Sequence, residues 1–200
     1  MKEIILQAIK FAKERMKSNR DGHDYYHAER VYKKAVHLAE KEGCNIFICG
    51  LAAILHDIEH QSVLNVAENP EDCTCAREFL QTLALDVKDI DLVCDIINYV
   101  SNRASAHHMK DKKEAWVVSD ANALDAIGAI GVARAFAWGS SRRQIMYNGD
   151  VSDENTIKYF YDKLIPLSEN MKTETGKELA TQRKEFMESF LQEFYYEWTL

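Results

Sequence analysis

Apolar residues recur along most of this chain at intervals of three and four, which is the spacing of an α-helix. Only two prolines and eight glycines interrupt the 200 residues. The pattern therefore predicts an all-α fold and no strand. It predicts well-defined helices over about 2–17, 24–42, 46–58, 116–138 and 175–198, with a basic loop over about 101–113.

Length and composition favour a single soluble domain over residues 1–200. A hydrophobic fraction of 46% is enough for a sizeable core, and a charged fraction of 28% is ordinary for a globular protein. The N-terminal segment mixes charged and apolar residues, so we expect neither a signal peptide nor a membrane span, and hence a cytoplasmic protein. The net charge of −7 argues against binding to long nucleic acid, which needs a broad basic surface.

The five cysteines do not have the pattern of a disulfide framework. Their number is odd, no pair has the C-x-x-C spacing, and Cys49 and Cys94 lie in apolar helical runs. We therefore expect reduced thiols, most of which fill the core.

Four polar side chains occupy positions at which helical periodicity predicts apolar ones. His27 shares a stripe with the apolar residues of the second helix, and Asp120 lies on the apolar face of the long helix. His56 and Asp57 directly follow the apolar run of the third helix. A single buried histidine is usually a hydrogen-bonded core residue, but isolated polar groups on three helices favour one shared metal ion.

Two imidazoles and two carboxylates suit a divalent cation such as Mn, Fe, Co, Ni or Zn, with Mg as an alternative. Four protein ligands leave an octahedral ion two positions for water and substrate, so a mononuclear site is favoured. A dinuclear site needs further ligands. The candidates for that alternative are His23, Glu59, His60 and the pair His107-His108.

The same residues resemble a known ligand pattern. The order His27, His56-Asp57 and Asp120 is similar to that of the HD-domain superfamily of metal-dependent phosphohydrolases, over most of the chain. The segments GHDYYHAERV, LHDIEH and DANALDAIGAIG resemble a branch of small bacterial proteins proposed or shown to hydrolyse nucleoside phosphates and pyrophosphates. The resemblance implies an all-helical bundle with the metal ion in a central cleft.

The chain departs from that branch at two places. Glu59 and His60 stand where relatives often have Gly and Asp, so the groups around the ligands differ. Ala123 stands where a basic residue is common, so a phosphate contact is not carried over to that position. The four metal positions are intact.

A bound divalent ion lowers the pKa of its water from about 15.7 towards 7 and polarises a phosphoryl oxygen, and both effects suit phosphate ester and anhydride hydrolysis. Glu59 and His60 are the candidates for orienting or deprotonating that water, unless they are simply exposed residues at a helix end. His23 is the candidate for protonating a leaving group, and its alternative role is to cap a loop.

A charged phosphoryl group also needs cations that position it. Arg30 lies one turn after His27 on nearly the same helix face, which makes it a predicted substrate-binding residue. Basic clusters precede and follow the Asp120 helix. Such clusters are often only solvated surface, but if the chain is an enzyme, one of the two is expected to bind phosphate. The candidates in these clusters are Arg103, Lys110, Arg142 and Arg143. Asp125, one turn beyond Asp120, is predicted to orient a ligand or to pair with an arginine.

Three functional hypotheses follow. The first is a phosphohydrolase of a small phosphorylated substrate, with cleavage of a nucleoside triphosphate to monophosphate and pyrophosphate preferred over removal of phosphate from a monophosphate. The second is a non-catalytic module that binds nucleotide or metal. The third, oxygen chemistry at a paired iron site, needs more inward ligands than the sequence offers. The aromatic C-terminal helix offers a homodimer surface, or it packs internally.

Overall fold

The computed structural model describes residues 1–17, 24–59, 73–102 and 104–200. Within these ranges every regular element is helical, which confirms the all-α prediction. A 3₁₀ helix covers Ala104–Asp111 and a π-helical turn covers Phe160–Leu164. The α-helices are α1 (Lys2–Arg15), α2 (Tyr25–Glu42), α3 (Ile46–Leu55), α4 (Thr74–Gln81), α5 (Val87–Val100), α6 (Lys113–Asp125), α7 (Gly128–Ser141), α8 (Thr156–Tyr159), α9 (Ile165–Glu169) and α10 (Glu174–Thr199).

The chain divides into two compact units, Met1–Asn122 and Ala123–Leu200. The boundary falls inside α6. The single domain over residues 1–200 stays a prediction. None of the described helices combines the length and the apolar character needed to cross a membrane.

Helix α3 forms the centre of the first unit, where it packs against α1, α2 and α5. Every residue from Ile48 to Leu55 is buried, because that run consists of apolar residues and one glycine. Burial of each large apolar side chain contributes about 1.5–3 kcal/mol. At Gly50 a Cβ would lie 3.0 Å from the Tyr32 ring, so the glycine lets α2 approach closely.

Side chains and backbone geometry define the ends of α2 and α3. The Asp24 carboxylate caps α2 by accepting a hydrogen bond from the backbone N–H of His27, and α2 ends at Gly43 in the left-handed conformation. Asn45 caps α3 in the same way. The third helix was predicted to continue to about residue 58, but α3 ends at Leu55 and the next four residues form turns. His56 and Asp57 therefore leave the helix as a pair.

The predicted loop over 101–113 is wrong for most of its length, because Ala104–Asp111 forms a 3₁₀ helix. The basic residues of this 3₁₀ helix, His107, His108 and Lys110, are exposed, but Ala106 and Met109 are buried and anchor the segment. The indole N–H of Trp116 also donates a hydrogen bond to the carbonyl of Lys110.

The single long helix predicted over 116–138 is also wrong, because α6 and α7 are separated by a break. Ile127 is extended and Gly128 has a φ of +75°, a conformation that disfavours other residues. Arginine side chains satisfy the freed carbonyls: Arg183 donates to Leu124, and Arg134 donates to Asp125 at 3.2 Å. The apolar residues on both sides of the break continue a helical pattern, so the sequence did not indicate that the helix ends here. The arginines that bind the freed carbonyls lie 9 and 59 residues away.

Aromatic rings fill the second unit. The rings of Phe136, Phe160 and Phe190 lie with centroids 5.8–6.0 Å apart. Near the end of α10, the Tyr147 ring contacts Phe194 and Trp198. This is the internal packing predicted as one alternative for the C-terminal helix, and the homodimer stays a prediction.

Candidate metal centre

His27 lies in the first turn of α2 and is 2% exposed. Its backbone N–H donates to the Asp24 carboxylate at 3.0 Å, so the cap that starts the helix also fixes the backbone of this histidine. The apolar residues that follow at helical spacing, such as Val31, are fully buried. The stripe predicted from the sequence therefore directs the imidazole into the first unit.

His56 lies in the turn after α3 and is 3% exposed. Its Nδ1 lies 2.8 Å from the carbonyl oxygen of Ala53. A proton on Nδ1 donates to that carbonyl, which leaves the lone pair on Nε2. Ligating histidines usually have one ring nitrogen fixed in this manner while the other binds the metal.

The three donor groups of His27, His56 and Asp57 converge. Asp57 Oδ2 lies 3.4 Å from Nε2 of His27 and 3.4 Å from Nε2 of His56. One ligand atom from each residue lies within 4.8 Å of the others, and among the described residues this is the group with such geometry. Ligand atoms that share one ion at about 2.0–2.2 Å lie about 3 Å from one another, so the spacing fits a common cation.

The chemistry of the donors also fits a cation. In the described part of the chain, the buried Nε2 of His56 has no hydrogen-bond partner, although such groups are normally satisfied. Burial lowers the pKa of His56 despite the opposing charge of Asp57, so the imidazole is held neutral, the form that binds metal. These three residues form a candidate site for a divalent metal ion.

Asp120 is 2% exposed in α6, within the same compact unit. It is not one of the group whose ligand atoms converge within 4.8 Å, so its role as fourth ligand stays a prediction. Sequence reasoning missed Asn122, whose side chain contacts His56 and opposes the effect of burial on the pKa of that imidazole. The only available signal was its place two residues beyond Asp120 in the DANALD segment.

Glu59 follows the candidate ligands by two residues, and one of its oxygens is already engaged. Oε1 accepts a hydrogen bond of 3.0 Å from the backbone N–H of Ala76, in the first turn of α4. The carboxylate thus caps another helix, a role that its local sequence did not indicate. Its catalytic role stays a prediction, and the other two predicted catalytic residues, His23 and His60, lie outside the described residues.

The predicted phosphate-binding residues differ in their surroundings. Arg30 is half-buried one turn after His27 on α2, as expected. Lys110 is exposed at the end of the 3₁₀ helix, and Arg103 lies outside the described residues. Arg142 and Arg143 follow α7 in the second unit, where the Arg142 guanidinium lies 4.6 Å from the centre of the Trp138 ring. Their contacts with substrate stay predictions.

Two further predictions concern residues outside the group of His27, His56 and Asp57. Asp125 is fully buried and its Oδ2 lies 3.1 Å from Arg134, which confirms the predicted arginine partner. His108, a candidate ligand for a second metal, instead lies 3.1 Å from Asp95 and 3.2 Å from the carbonyl of Ser105. In the described ranges, neither His108 nor His107 belongs to a convergent ligand group.

The model of the HD domain family matches residues 24–127, more than half of the 200 residues. The chain belongs to the HD-domain family. The matched range includes all four predicted metal ligands, and membership confirms the resemblance seen in the sequence.

Several bacterial proteins are similar to this HD-domain protein. The uncharacterised YpgQ of Bacillus subtilis is 33% identical over 179 residues, covering 86% of this chain and 82% of YpgQ. The crystal structure of YpgQ in complex with ADP has a TM-score of 0.81 and covers 96% of this chain and 94% of its own. An HD-superfamily hydrolase from Bacillus thuringiensis, 35% identical, also has a TM-score of 0.81 and covers 99% and 98% of the two chains.

Proposed function

We propose that the protein is a metal-dependent phosphohydrolase, and that its preferred reaction is cleavage of a nucleoside triphosphate to monophosphate and pyrophosphate. The observation that carries this proposal is the buried convergence of His27, His56 and Asp57. Family membership supports hydrolysis, because the similar protein from Bacillus thuringiensis is an HD-superfamily hydrolase. The ADP complex of YpgQ supports a nucleotide as the substrate class.

The residues of the chain have distinct roles in this proposal. His27 and His56 supply neutral nitrogen ligands, while Asp57 and Asp120 supply negative charge. When bound, a divalent ion supplies an acidified water and polarises a phosphoryl oxygen. Glu59, His60 and His23 are the candidates for proton transfer around that water and the leaving group.

Positively charged side chains complete the proposed site. Arg30 follows the ligand His27 by one helical turn, which places a guanidinium on nearly the same face of α2. A guanidinium can bind two phosphate oxygens at once and thereby orient the phosphate chain. Arg103, Lys110, Arg142 and Arg143 are the further candidates for holding the remaining phosphates.

The test is hydrolysis of a nucleotide panel by metal-stripped protein to which Mn, Co, Ni, Mg or Zn is restored singly. Pyrophosphate and orthophosphate are measured separately, because pyrophosphate identifies triphosphate cleavage and orthophosphate from a monophosphate identifies the phosphatase alternative. We expect pyrophosphate release that falls more than about a hundredfold in Asp57→Asn. Asp162→Asn is the matched control, since Asp162 is half-exposed on the second unit.

The opposite result would be decisive. If folded protein binds metal through these residues but turns over no nucleotide with any of the ions, the hydrolase proposal fails. The non-catalytic module that binds nucleotide or metal then takes its place. A paired iron site would show itself by binding two iron ions for each chain.

A further inference from the structure

Two thiols of the first unit contact each other away from the candidate metal centre. Cys73 is the N-cap residue of α4, and Cys94 lies on α5, the helix against which α4 packs. The two side chains line the same pocket and interact through a hydrogen bond. Neither residue forms a disulfide, so the fold brings together a dithiol from positions without the C-x-x-C spacing.

The two thiols line a polar pocket. The pocket has a volume of about 310 Å³, which is space for several water molecules. The side chains of Cys73 and Cys94 are nearly inaccessible from bulk solvent, with 2% and 1% exposure. The pocket that they line has room for a reagent of the size of water. Its other lining residues are Thr74, Arg77, Asp95, Asn98 and Ser105.

The direction of its pKa shift distinguishes the Cys94 thiol from those of Cys44, Cys49 and Cys75. The hydrogen bond from Cys73 lowers the pKa of Cys94, and the Arg77 guanidinium adds to that effect, against burial and the charges of Asp91 and Asp95. Burial instead raises the pKa of the thiols at Cys44, Cys49 and Cys75. The thiolate is the nucleophilic form of cysteine, so Cys94 is the most readily activated of these four.

We propose that Cys73 and Cys94 form a redox-active pair that hydrogen peroxide oxidises to a disulfide and a dithiol reductant restores. The Cys94 thiolate attacks one peroxide oxygen, the S–O bond forms, the O–O bond breaks, and hydroxide leaves and takes up a proton. The Cys73 sulfur, after losing its proton, then attacks the resulting sulfenic acid, forming the S–S bond and releasing a second water. The two thiols lose two electrons and reduce one peroxide to two waters.

The position of the pair gives this bond a structural consequence. A disulfide would join α5 to the start of α4, and that start is capped by Glu59 through the N–H of Ala76. The disulfide would therefore form at the helix end that Glu59 caps, and Glu59 lies two residues along the chain from the candidate ligand Asp57.

The test is exposure of the full-length protein to equimolar hydrogen peroxide in the presence of a chelator, followed by alkylation and peptide mass mapping. We expect a Cys73–Cys94 disulfide that a dithiol reductant removes. Cys44, Cys49 and Cys75 should stay reduced and be recovered in the alkylated form. Cys73→Ser should stop at a sulfenic acid on Cys94 that a dimedone probe captures, and Cys94→Ser should form no disulfide at residue 73.

Cys75→Ser is the matched control, because Cys75 lies two residues from Cys73 on the same helix. This variant should form the disulfide as fast as the unaltered protein. Peroxide oxidation that reaches Cys75 as fast as Cys94, or that leaves both thiols of the pair alkylated in the unaltered protein, would overturn the proposal. The mapping of the unaltered protein decides the question even if a variant does not fold.

Discussion

At the scale of single residues, the candidate metal centre depends on which nitrogen of each histidine is available. The contact of His56 Nδ1 with the Ala53 carbonyl directs Nε2 towards Asp57, and Asn122 adds a further contact to the same ring. A ligand held from several sides loses less freedom when it binds an ion. Such supporting contacts commonly change metal affinity by about 10- to 100-fold.

Asn122→Ala should therefore weaken metal binding by about tenfold or more while the fold persists, because it removes a group that orients His56 without removing a ligand. Isothermal titration of the metal-free protein with Mn²⁺ measures the change. Asn170→Ala, at an exposed residue of the second unit, is the control. Unchanged affinity in Asn122→Ala would show that Asn122 does not orient His56.

The buried carboxylate of Asp125 contributes to stability through its contact with Arg134. Asp125 is fully buried against Arg134, which is 22% exposed. Asp125→Ala leaves that cation and the carbonyls around it without the carboxylate, so the free energy of unfolding should fall by about 3 kcal/mol. Denaturant titration measures it, and Asp162→Ala should change it by less than about 0.5 kcal/mol. An equally small loss in Asp125→Ala would contradict the account.

At the scale of secondary-structure elements, the helix ends position the chemistry. Helix α2 begins at a cap that contacts the backbone of His27, and α3 ends directly before His56 and Asp57. These three candidate ligands therefore lie at or next to helix ends, where the chain changes direction and side chains from different helices can meet. This arrangement makes capping residues part of the site as well as of the fold.

Asp24→Ala should lower the free energy of unfolding by about 1 kcal/mol, because the first turn of α2 loses its cap. The same variant should weaken Mn²⁺ binding, since His27 lies in the turn that frays. Thr173→Ala is the matched control: Thr173 caps α10 and accepts from Gly176, but α10 carries no predicted metal ligand. Equal metal affinities in the two variants would show that the cap of α2 does not contribute to metal binding.

The break between α6 and α7 requires a small residue on its C-terminal side. A Cβ at Gly131 would lie 2.2 Å from the carbonyl oxygen of Ala126, and backbone atoms cannot move aside as a flexible side chain can. Gly131→Ala should therefore reduce the free energy of unfolding by about 1–3 kcal/mol. Ser140→Ala, at an exposed position on the same helix, is the control. A Gly131→Ala protein that is as stable as the unaltered protein, or more stable, would show that this position does not require glycine.

At the scale of the whole molecule, periodicity predicted the all-α class and most helices, because burial of an apolar face produces both the pattern and the helix. The same logic predicted the polar groups of the candidate metal centre, which are conspicuous on apolar faces. It did not predict the break near Ile127, the role of Glu59 in capping α4, or the Cys73–Cys94 contact. Those features depend on residues distant in sequence, such as Arg183, and local patterns do not contain that information.

We expect His27, His56 and Asp57 to hold one divalent ion. The most direct measurement is the stoichiometry and affinity of Mn²⁺ binding to metal-stripped protein, by calorimetry and electron paramagnetic resonance, for the unaltered chain and for His27→Ala, His56→Ala and Asp57→Ala. The expected result is one high-affinity ion per chain, with hyperfine signals from the histidine nitrogens in the resonance spectrum. Binding should be at least about a hundredfold weaker in each variant. One ion bound with unchanged affinity in all three variants would contradict it.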